Sequence, residues 1–155
     1  GTAGGAEKCA LAKANGYHHV IDYTSTDFEA EVMRLTDGKG VDVAYDSVGN
    51  DTMARSLTST RRHGTIIAFG QSSGAYLDFK ISDLAKGSYK LSRPTLFHFV
   101  GERDWLEANS AKLFTAVTDG TVDISINQKF PLADVAKAHD ALTGRATTGS
   151  TILTV

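Results

Sequence analysis

The sequence predicts an α/β fold with a parallel sheet and helices on both of its faces. Short apolar, β-branched runs alternate with helix-favouring stretches, the pattern of βαβ units. Each change from helix to strand is marked by glycine, often after Asn or Asp, as at Asn15-Gly16 and Asp37-Gly38. The length of 155 residues suits one domain, and 41% hydrophobic residues supply apolar side chains for a core.

The elements follow in order. From Ala6 to Ala14 the chain favours helix, with Ala6, Ala10 and Ala14 on one face, and Asn15-Gly16 ends it. A short strand is predicted from His18 to Ile21. Asp27 opens a second helix carrying Phe28, Val32 and Leu35, and Asp37-Gly38 stops it. The second strand runs from Val41 to Tyr45. Asp51 can cap a third helix with Met53 and Leu57, Gly64 closes the following turn, and Thr65 to Phe69 forms a third strand. Tyr89 to Ser92 alternates and meets Pro94, which suits an edge strand. Glu102 to Asp119 reads as an amphipathic helix with Leu106, Leu113, Phe114 and Val117 on one side. Gln128 to Phe130 is extended, Leu132 to Leu142 is helical, and Ser150 to Val155 is a last strand. Right-handed crossovers place the strands' C-terminal ends on one edge, where ligands bind in such sheets. The loops to watch are Asp22-Tyr23, Asp46 to Asn50, and Gly70 to Gly74.

Composition excludes several classes. Sixteen Lys and Arg against eighteen Asp and Glu give a net charge of −2, with no basic run of the kind that binds nucleic acid. No apolar run is long enough to span a bilayer, and no signal peptide is expected from the residues read. The single cysteine, Cys9, allows no internal disulfide and suits a reducing, cytoplasmic setting; on its alanine-rich helix it reads as a small packed residue. The five histidines have no metal-ligand spacing and Cys9 has no partner, so no zinc site is expected. Gly1-Thr2-Ala3 reads like the interior of a longer protein, by processing or as a fragment.

No glycine-rich phosphate loop of either common spacing is present. Gly4-Gly5 before a helix is either a plain turn or a phosphate cradle. Lys8, near the positive end of that helix, opposes the helix dipole, a conflict that a bound anion removes. Tyr23 follows the next strand at the same edge, so Lys8 and Tyr23 could hold a phosphate; each alone is an ordinary surface residue. Gly49 allows a ligand close to the backbone, and the 70–74 loop offers N–H and hydroxyl groups. These two small-residue loops are either ordinary βα turns or the walls of a pocket.

The ordered set GTAGGAEKCALAKANGYHHVIDY, DGKGVDVAYDSVGNDT, RRHGTIIAFGQSSG, SRPTL and FPLADVAKAHDALTGRATTGS resembles the later part of the NADPH quinone oxidoreductases, zinc-free, zeta-crystallin-like members of the medium-chain dehydrogenase family. The resemblance implies an incomplete Rossmann-type sheet that lacks the first βαβ segment, with residues 1–155 as a partial NADPH-binding domain. The last strand, about 150–155, then belongs with a catalytic domain outside this chain. It implies NADPH as cofactor and hydride transfer to a quinone or activated enone.

Residue by residue, Thr2 stands where NAD-preferring relatives carry an acid, and no acid stands beside it in the sequence. Lys8 and Tyr23 resemble the clamp on the 2′-phosphate. Val48, Gly49 and Asn50 resemble the adenine and ribose side. Phe69, Gly70, Ser72 and Ser73 resemble the wall near the nicotinamide. Arg93 to Leu96, with Arg93 and Thr95 as cofactor contacts, look like a strand that pairs across a homodimer through the Tyr89 to Pro94 edge. Arg145 resembles a further cofactor contact, and no catalytic acid or base is assigned. Gly149-Ser150 departs from the Gly-Lys of many relatives.

The rival readings are an inactive structural or nucleotide-binding fragment, favoured for the isolated chain, and an enoyl reductase of the same family. A sheet lacking its central strands also implies that residues 18–21 close directly onto residues 41–45 or pair with another chain.

Overall fold

The computed structural model describes residues 1–144 and 146–155. The chain forms two compact units, Gly1–Leu96 and Phe97–Val155.

The first unit begins with β1 (Thr2–Ala3), α1 (Ala6–Ala14) and β2 (Ile21–Asp22), followed by α2 (Phe28–Leu35). Then come β3 (Val41–Asp46), α3 (Met53–Thr58), β4 (Thr60–Ala68), a 3-10 helix over Ile81–Lys86 and β5 (Lys90–Ser92). β1 pairs with β2, and β3, β4 and β5 form a three-stranded sheet in that order. Every ladder in the unit is parallel, as the alternation of strands and helices predicts. The second unit contains α4 (Leu96–Val100, which starts at the boundary), α5 (Arg103–Thr118), β6 (Ile126–Pro131), a 3-10 turn over Leu132–Asp134, α6 (Val135–Thr143) and β7 (Ser150–Thr154). Here β6 and β7 pair in parallel across the α6 crossover.

Local chemistry explains the best-predicted boundaries. The Asp27 carboxylate accepts the N–H groups of Glu29 at 3.0 Å and Ala30 at 3.3 Å, which caps α2. The helix stops where Asp37 and Gly38 take φ of 52° and 74°, a left-handed turn that releases the chain. Phe28 is buried beneath the Arg55 guanidinium, 4.0 Å above its ring. Arg55 also pairs with Asp27 and, at 3.9 Å, with Glu29. That cluster ties α2 to α3.

Several expectations are corrected. β4 starts at Thr60 rather than Thr65, so Gly64 lies inside the strand instead of closing the turn before it. The register jumps from Val41↔Thr60 to Val43↔Thr65, and His63 takes φ of 61°; the chain bulges there and then rejoins the ladder. α3 is preceded by Thr52 rather than capped by Asp51, and Thr52 makes no side-chain cap. Ala6, Ala10 and Ala14 are exposed, whereas Lys8, Cys9 and Ala12 are partly buried, so α1 sits rotated from its alanine face. Residues 93–95 lie outside regular elements and Leu96 opens α4, so the strand predicted to run through them ends at Ser92. Pro94 supplies no N–H to continue the ladder. On α5, Leu113 and Phe114 are exposed.

Residues 18–21 do not close onto residues 41–45. β2 satisfies its backbone against β1, with Ile21 N–H donating to Gly1 at 2.9 Å, while β3 pairs with β4. α2 packs on β2 and on α3, and this bridge sets the spacing. A cavity of about 520 Å³, whose lining includes Gly1, Ile21, Val32, Leu35 and Val41, lies there. The core is correspondingly small. Among the described residues the buried hydrophobic side chains are Ile21, Phe28, Met53, Leu57, Ile66 and Ala138. Met53 and Leu57 of α3 pack on Ile66, flanked by Ala44 and Leu91, on one face of the three-stranded sheet. Val43 and Tyr45, which alternate with Ala44 along β3, are exposed, Tyr45 at 72%.

Candidate functional site

Two of the predicted loops are each organised by the aspartate that ends a strand. Asp22 closes β2 and is the register partner of Ala3. Its Oδ1 accepts the Thr24 hydroxyl at 2.6 Å and the N–H groups of Thr24 and Gly5 at 3.0 Å each. The Thr24 hydroxyl, with the Gly5 and Thr24 N–H groups, holds this carboxyl below the usual Asp range. Tyr23 donates its N–H to the Ala3 carbonyl at 3.2 Å. Its hydroxyl lies 2.7 Å from where a Cβ on Gly4 would stand, so only glycine leaves room for the ring. Thr2 is exposed on β1, and Lys8, partly buried, sits in the first turn of α1. The fold thus gathers Thr2, Gly4 and Tyr23 at the end of the β1–β2 ladder, where α1 begins.

Two details correct the sequence reading of this corner. The Gly5 N–H is held by Asp22, so it is not an open donor of a Gly4-Gly5 phosphate cradle. An acid does stand near Thr2: Asp22 is one register step away on the neighbouring strand. Its charge is directed into the turn through those three hydrogen bonds.

The second loop is more deeply organised. Asp46, 4% exposed, ends β3. It accepts the Val48 and Gly49 N–H groups at 2.9 Å each, the Ser56 hydroxyl at 2.7 Å, and the Thr52 hydroxyl at 2.8 and 3.0 Å to its two oxygens. Burial pushes its pKa up, but the Ser56, Gly49, Thr52 and Val48 donors outweigh burial and keep it below the usual range.

This loop is zipped to the loop after β4. Asn50 N–H donates to Gly74 at 3.0 Å, Ser72 N–H to Ser47 at 3.2 Å, and Ser73 N–H to Val48 at 2.8 Å. The Ser73 hydroxyl donates to the Val48 carbonyl at 2.8 Å and accepts the Asp51 N–H at 3.0 Å. Gly49 has φ of 90°, and a Cβ there would collide with the Gly74 carbonyl oxygen. A Cβ on Gly70 would stand 2.5 Å from the Ser47 carbonyl oxygen. The 70–74 loop therefore does not offer the free donors that its composition suggests: its Ser72, Ser73 and Gly74 N–H groups are engaged within the protein. Asn50, Phe69 and Ser72 remain exposed on the double loop.

Val48, Gly49, Asn50, Gly70, Ser72 and Ser73 are thus brought together, with Phe69 joined through its N–H to the Asp46 carbonyl at 2.9 Å. Arg93 and Thr95 follow β5, beside β4 in the parallel sheet, and Arg93 donates to the Pro94 carbonyl at 3.0 Å. Arg145 lies outside the described residues. Sequence reasoning missed the roles of Asp22 and Asp46. The available signal was an aspartate ending a strand, followed by small or hydroxyl residues whose N–H groups it can accept.

Among the described residues no group of three or more His, Cys, Asp or Glu side chains could hold a metal ion. No helix of the described residues is long and apolar enough to cross a membrane.

Comparison with known proteins places this geometry. The chain is 40% identical over 155 residues to a 2-haloacrylate reductase of Burkholderia, covering 99% of this chain and 46% of that protein. It is 40% identical to a quinone oxidoreductase of Pseudomonas aeruginosa over 99% of this chain and 47% of that protein. Its structure resembles the crystal structure of Escherichia coli quinone oxidoreductase complexed with NADPH at a TM-score of 0.94 and 38% identity, over 100% of this chain and 48% of that one. The chain spans about half the length of the relatives it matches. The sequence family described as zinc-binding dehydrogenase matches residues 15–153. With that match running over most of its length, the chain belongs to the zinc-binding dehydrogenase family.

Proposed function

We propose that this chain is the nucleotide-binding part of an NADPH-dependent quinone oxidoreductase. The observation that carries the reading is its end-to-end likeness to half of the Escherichia coli quinone oxidoreductase that was crystallised with NADPH. The corner at Gly4 suits a 2′-phosphate: a neutral Thr2, the Tyr23 hydroxyl over a glycine, and Lys8 in the first turn of a helix. In this reading Thr2, Lys8 and Tyr23 hold that phosphate. Val48, Gly49 and Asn50 lie along the adenine and its ribose. Phe69, Gly70, Ser72 and Ser73 form the wall toward the nicotinamide, with Arg93 and Thr95 as further contacts.

When bound, NADPH supplies the hydride. The chain's own residues bind and orient it. The zipped loops contribute rigid backbone, and Phe69, half exposed, contributes apolar surface that keeps water from the reacting end. The acceptor is a quinone or an activated enone. The likeness to a 2-haloacrylate reductase favours an electron-poor carbon–carbon double bond as the second acceptor class. The last strand, about 150–155, belongs with a catalytic domain of the whole protein, and the edge strand β5, Lys90–Ser92 within the Tyr89 to Pro94 segment, pairs two copies in a homodimer. A monomer in light scattering of the whole protein at tens of micromolar, roughly the range for a real interface, would remove the dimer.

Calorimetry on the whole protein decides the central point. NADPH is expected to bind more tightly than NADH by about tenfold to a hundredfold, the value of one charge-assisted hydrogen bond to phosphate. Equal affinities would overturn the assignment.

A further inference from the structure

Asp46 is buried and cannot itself reach a ligand, because its own loop wraps its carboxylate. Its Oδ1 gathers the Val48 and Gly49 N–H groups and the Thr52 hydroxyl, and its Oδ2 gathers the Ser56 and Thr52 hydroxyls. Its backbone carbonyl meanwhile accepts the N–H groups of Phe69 at 2.9 Å and Gly70 at 3.3 Å. One residue thus anchors the loop after β3 by its side chain and the loop after β4 by its main chain. The two loops then bond to each other through Asn50 to Gly74 and Ser73 to Val48. Only an ionised carboxylate supplies two oxygens that accept from this many donors without contributing a hydrogen of its own. Buried and hydrogen-bonded, such a group fixes the conformation of whatever donates to it.

We infer that Asp46 is a positioning residue for the cofactor: it holds Val48, Gly49 and Asn50 in the register that receives NADPH and, through Ser47 and Val48, holds Ser72 and Ser73. The inference rests on the NADPH reading above for its ligand, but not for its effect on the loops. Loss of the carboxylate frees the Val48 and Gly49 N–H groups, and the positive-φ turn at Gly49 loses the anchor that holds it beside Gly74. The conservative amide keeps one carbonyl oxygen for those two N–H groups and presents its NH2 to the hydroxyl side, so it restores part of the effect.

The test compares Asp46→Ala, Asp46→Asn and Leu57→Ala, the last opening a hole in the core without touching the loops. NADPH affinity is measured by calorimetry at a temperature where circular dichroism shows each variant folded, and amide hydrogen exchange is followed in the absence of nucleotide. Asp46→Ala is expected to weaken NADPH binding by about tenfold or more, with Asp46→Asn in between. Exchange at Gly49, Asn50 and Ser73 is expected to accelerate while Ile66 stays protected. Leu57→Ala is expected to lose stability and keep its affinity. Wild-type affinity in Asp46→Ala, equal weakening in Leu57→Ala, or a uniform rise in exchange that includes Ile66 overturns the inference. Should Asp46→Ala not fold, Asp46→Asn and Ser56→Ala carry the same readouts, and unchanged exchange at Gly49 in both overturns it. Should the whole wild-type protein take up no NADPH, the reading of the ligand fails while the exchange measurement still decides the role of Asp46.

Discussion

The hydroxyl of Tyr23 stands 2.7 Å from the point that a Cβ on Gly4 would occupy. Gly4 lacks the positive φ found at Gly5, so alanine fits its backbone and acts only by displacing the Tyr23 ring. Gly4→Ala is expected to lower NADPH affinity about as much as Tyr23→Ala while leaving the melting temperature nearly unchanged. Binding titrations and thermal melts on both variants check this, and a Gly4→Ala protein with wild-type affinity would separate Tyr23 from the phosphate.

Lys8 bears on the choice between cofactors. Removing one charged donor to a phosphate costs about 1.5–3 kcal/mol, or roughly tenfold to a hundredfold in affinity. Lys8→Ala is expected to show that loss for NADPH and little for NADH. Parallel titrations with the two nucleotides measure it, and an equal loss for both would place Lys8 elsewhere on the cofactor or only in the fold.

Asp46 also predicts an acid limb. Its folded pKa is depressed, so its contribution to stability is fully present above the unfolded-state value, about 3.9. That contribution is lost as pH falls through the lower folded value. Asp22, Asp27 and Asp83 are shifted the same way and add to the limb. Melting temperatures followed downward from neutral pH are expected to fall more gently in Asp46→Asn than in the wild type below about pH 4. An identical acid slope in the two proteins would contradict the assignment.

Asp27 caps α2 and also meets Arg55. Replacing a capping Asp by Ala costs about 0.5–2 kcal/mol. The exposed ion pair adds little of its own. Asp27→Asn, which keeps an acceptor for the Glu29 and Ala30 N–H groups, is expected to recover most of the loss in a denaturant titration. If Asn were as damaging as Ala, the contact with Arg55 would be the dominant one.

The 155-residue chain by itself is expected to turn over no NADPH with a simple quinone. It spans about half the length of its relatives, and oriented placement of two reactants accounts for about 7–11 kcal/mol of barrier lowering. Absorbance loss above a buffer control in a coupled quinone assay would refute this.

Much of the fold is written in local sequence. Asp27 before Phe28, Asp37-Gly38 after Leu35, and the β-branched run Thr65-Ile66-Ile67 each declare an element through chemistry within a few residues. The parallel pairing follows from the βαβ spacing and appears in every ladder. The two small-residue loops were legible because glycine and hydroxyl residues after strands are visible without coordinates.

What local sequence could not supply depends on residues far apart in the chain. The bulge at His63 and Gly64 exists because β4 must rejoin a ladder set by Val41 and Val43. The alanine face of α1 lost to Lys8, Cys9 and Ala12 because packing on β1 and β2 fixes the helix's rotation, and alanine gives too little apolar area to oppose it. The gap between β2 and β3 was set by α2, which packs on both β2 and α3. The sequence alone determined the alternation of strands and helices, though not the short β1 and α4 or the bounds of β2 and β4, and that the loops carry small, close-approaching residues. Only the tertiary structure decided that the carboxylates of Asp22 and Asp46 are the hubs of their own loops and that the Ser73 hydroxyl is engaged by Val48 and Asp51. A hydrogen-bonding group shows its capacity in the sequence, but which partner takes it is settled only when the chain brings that partner within about 3 Å.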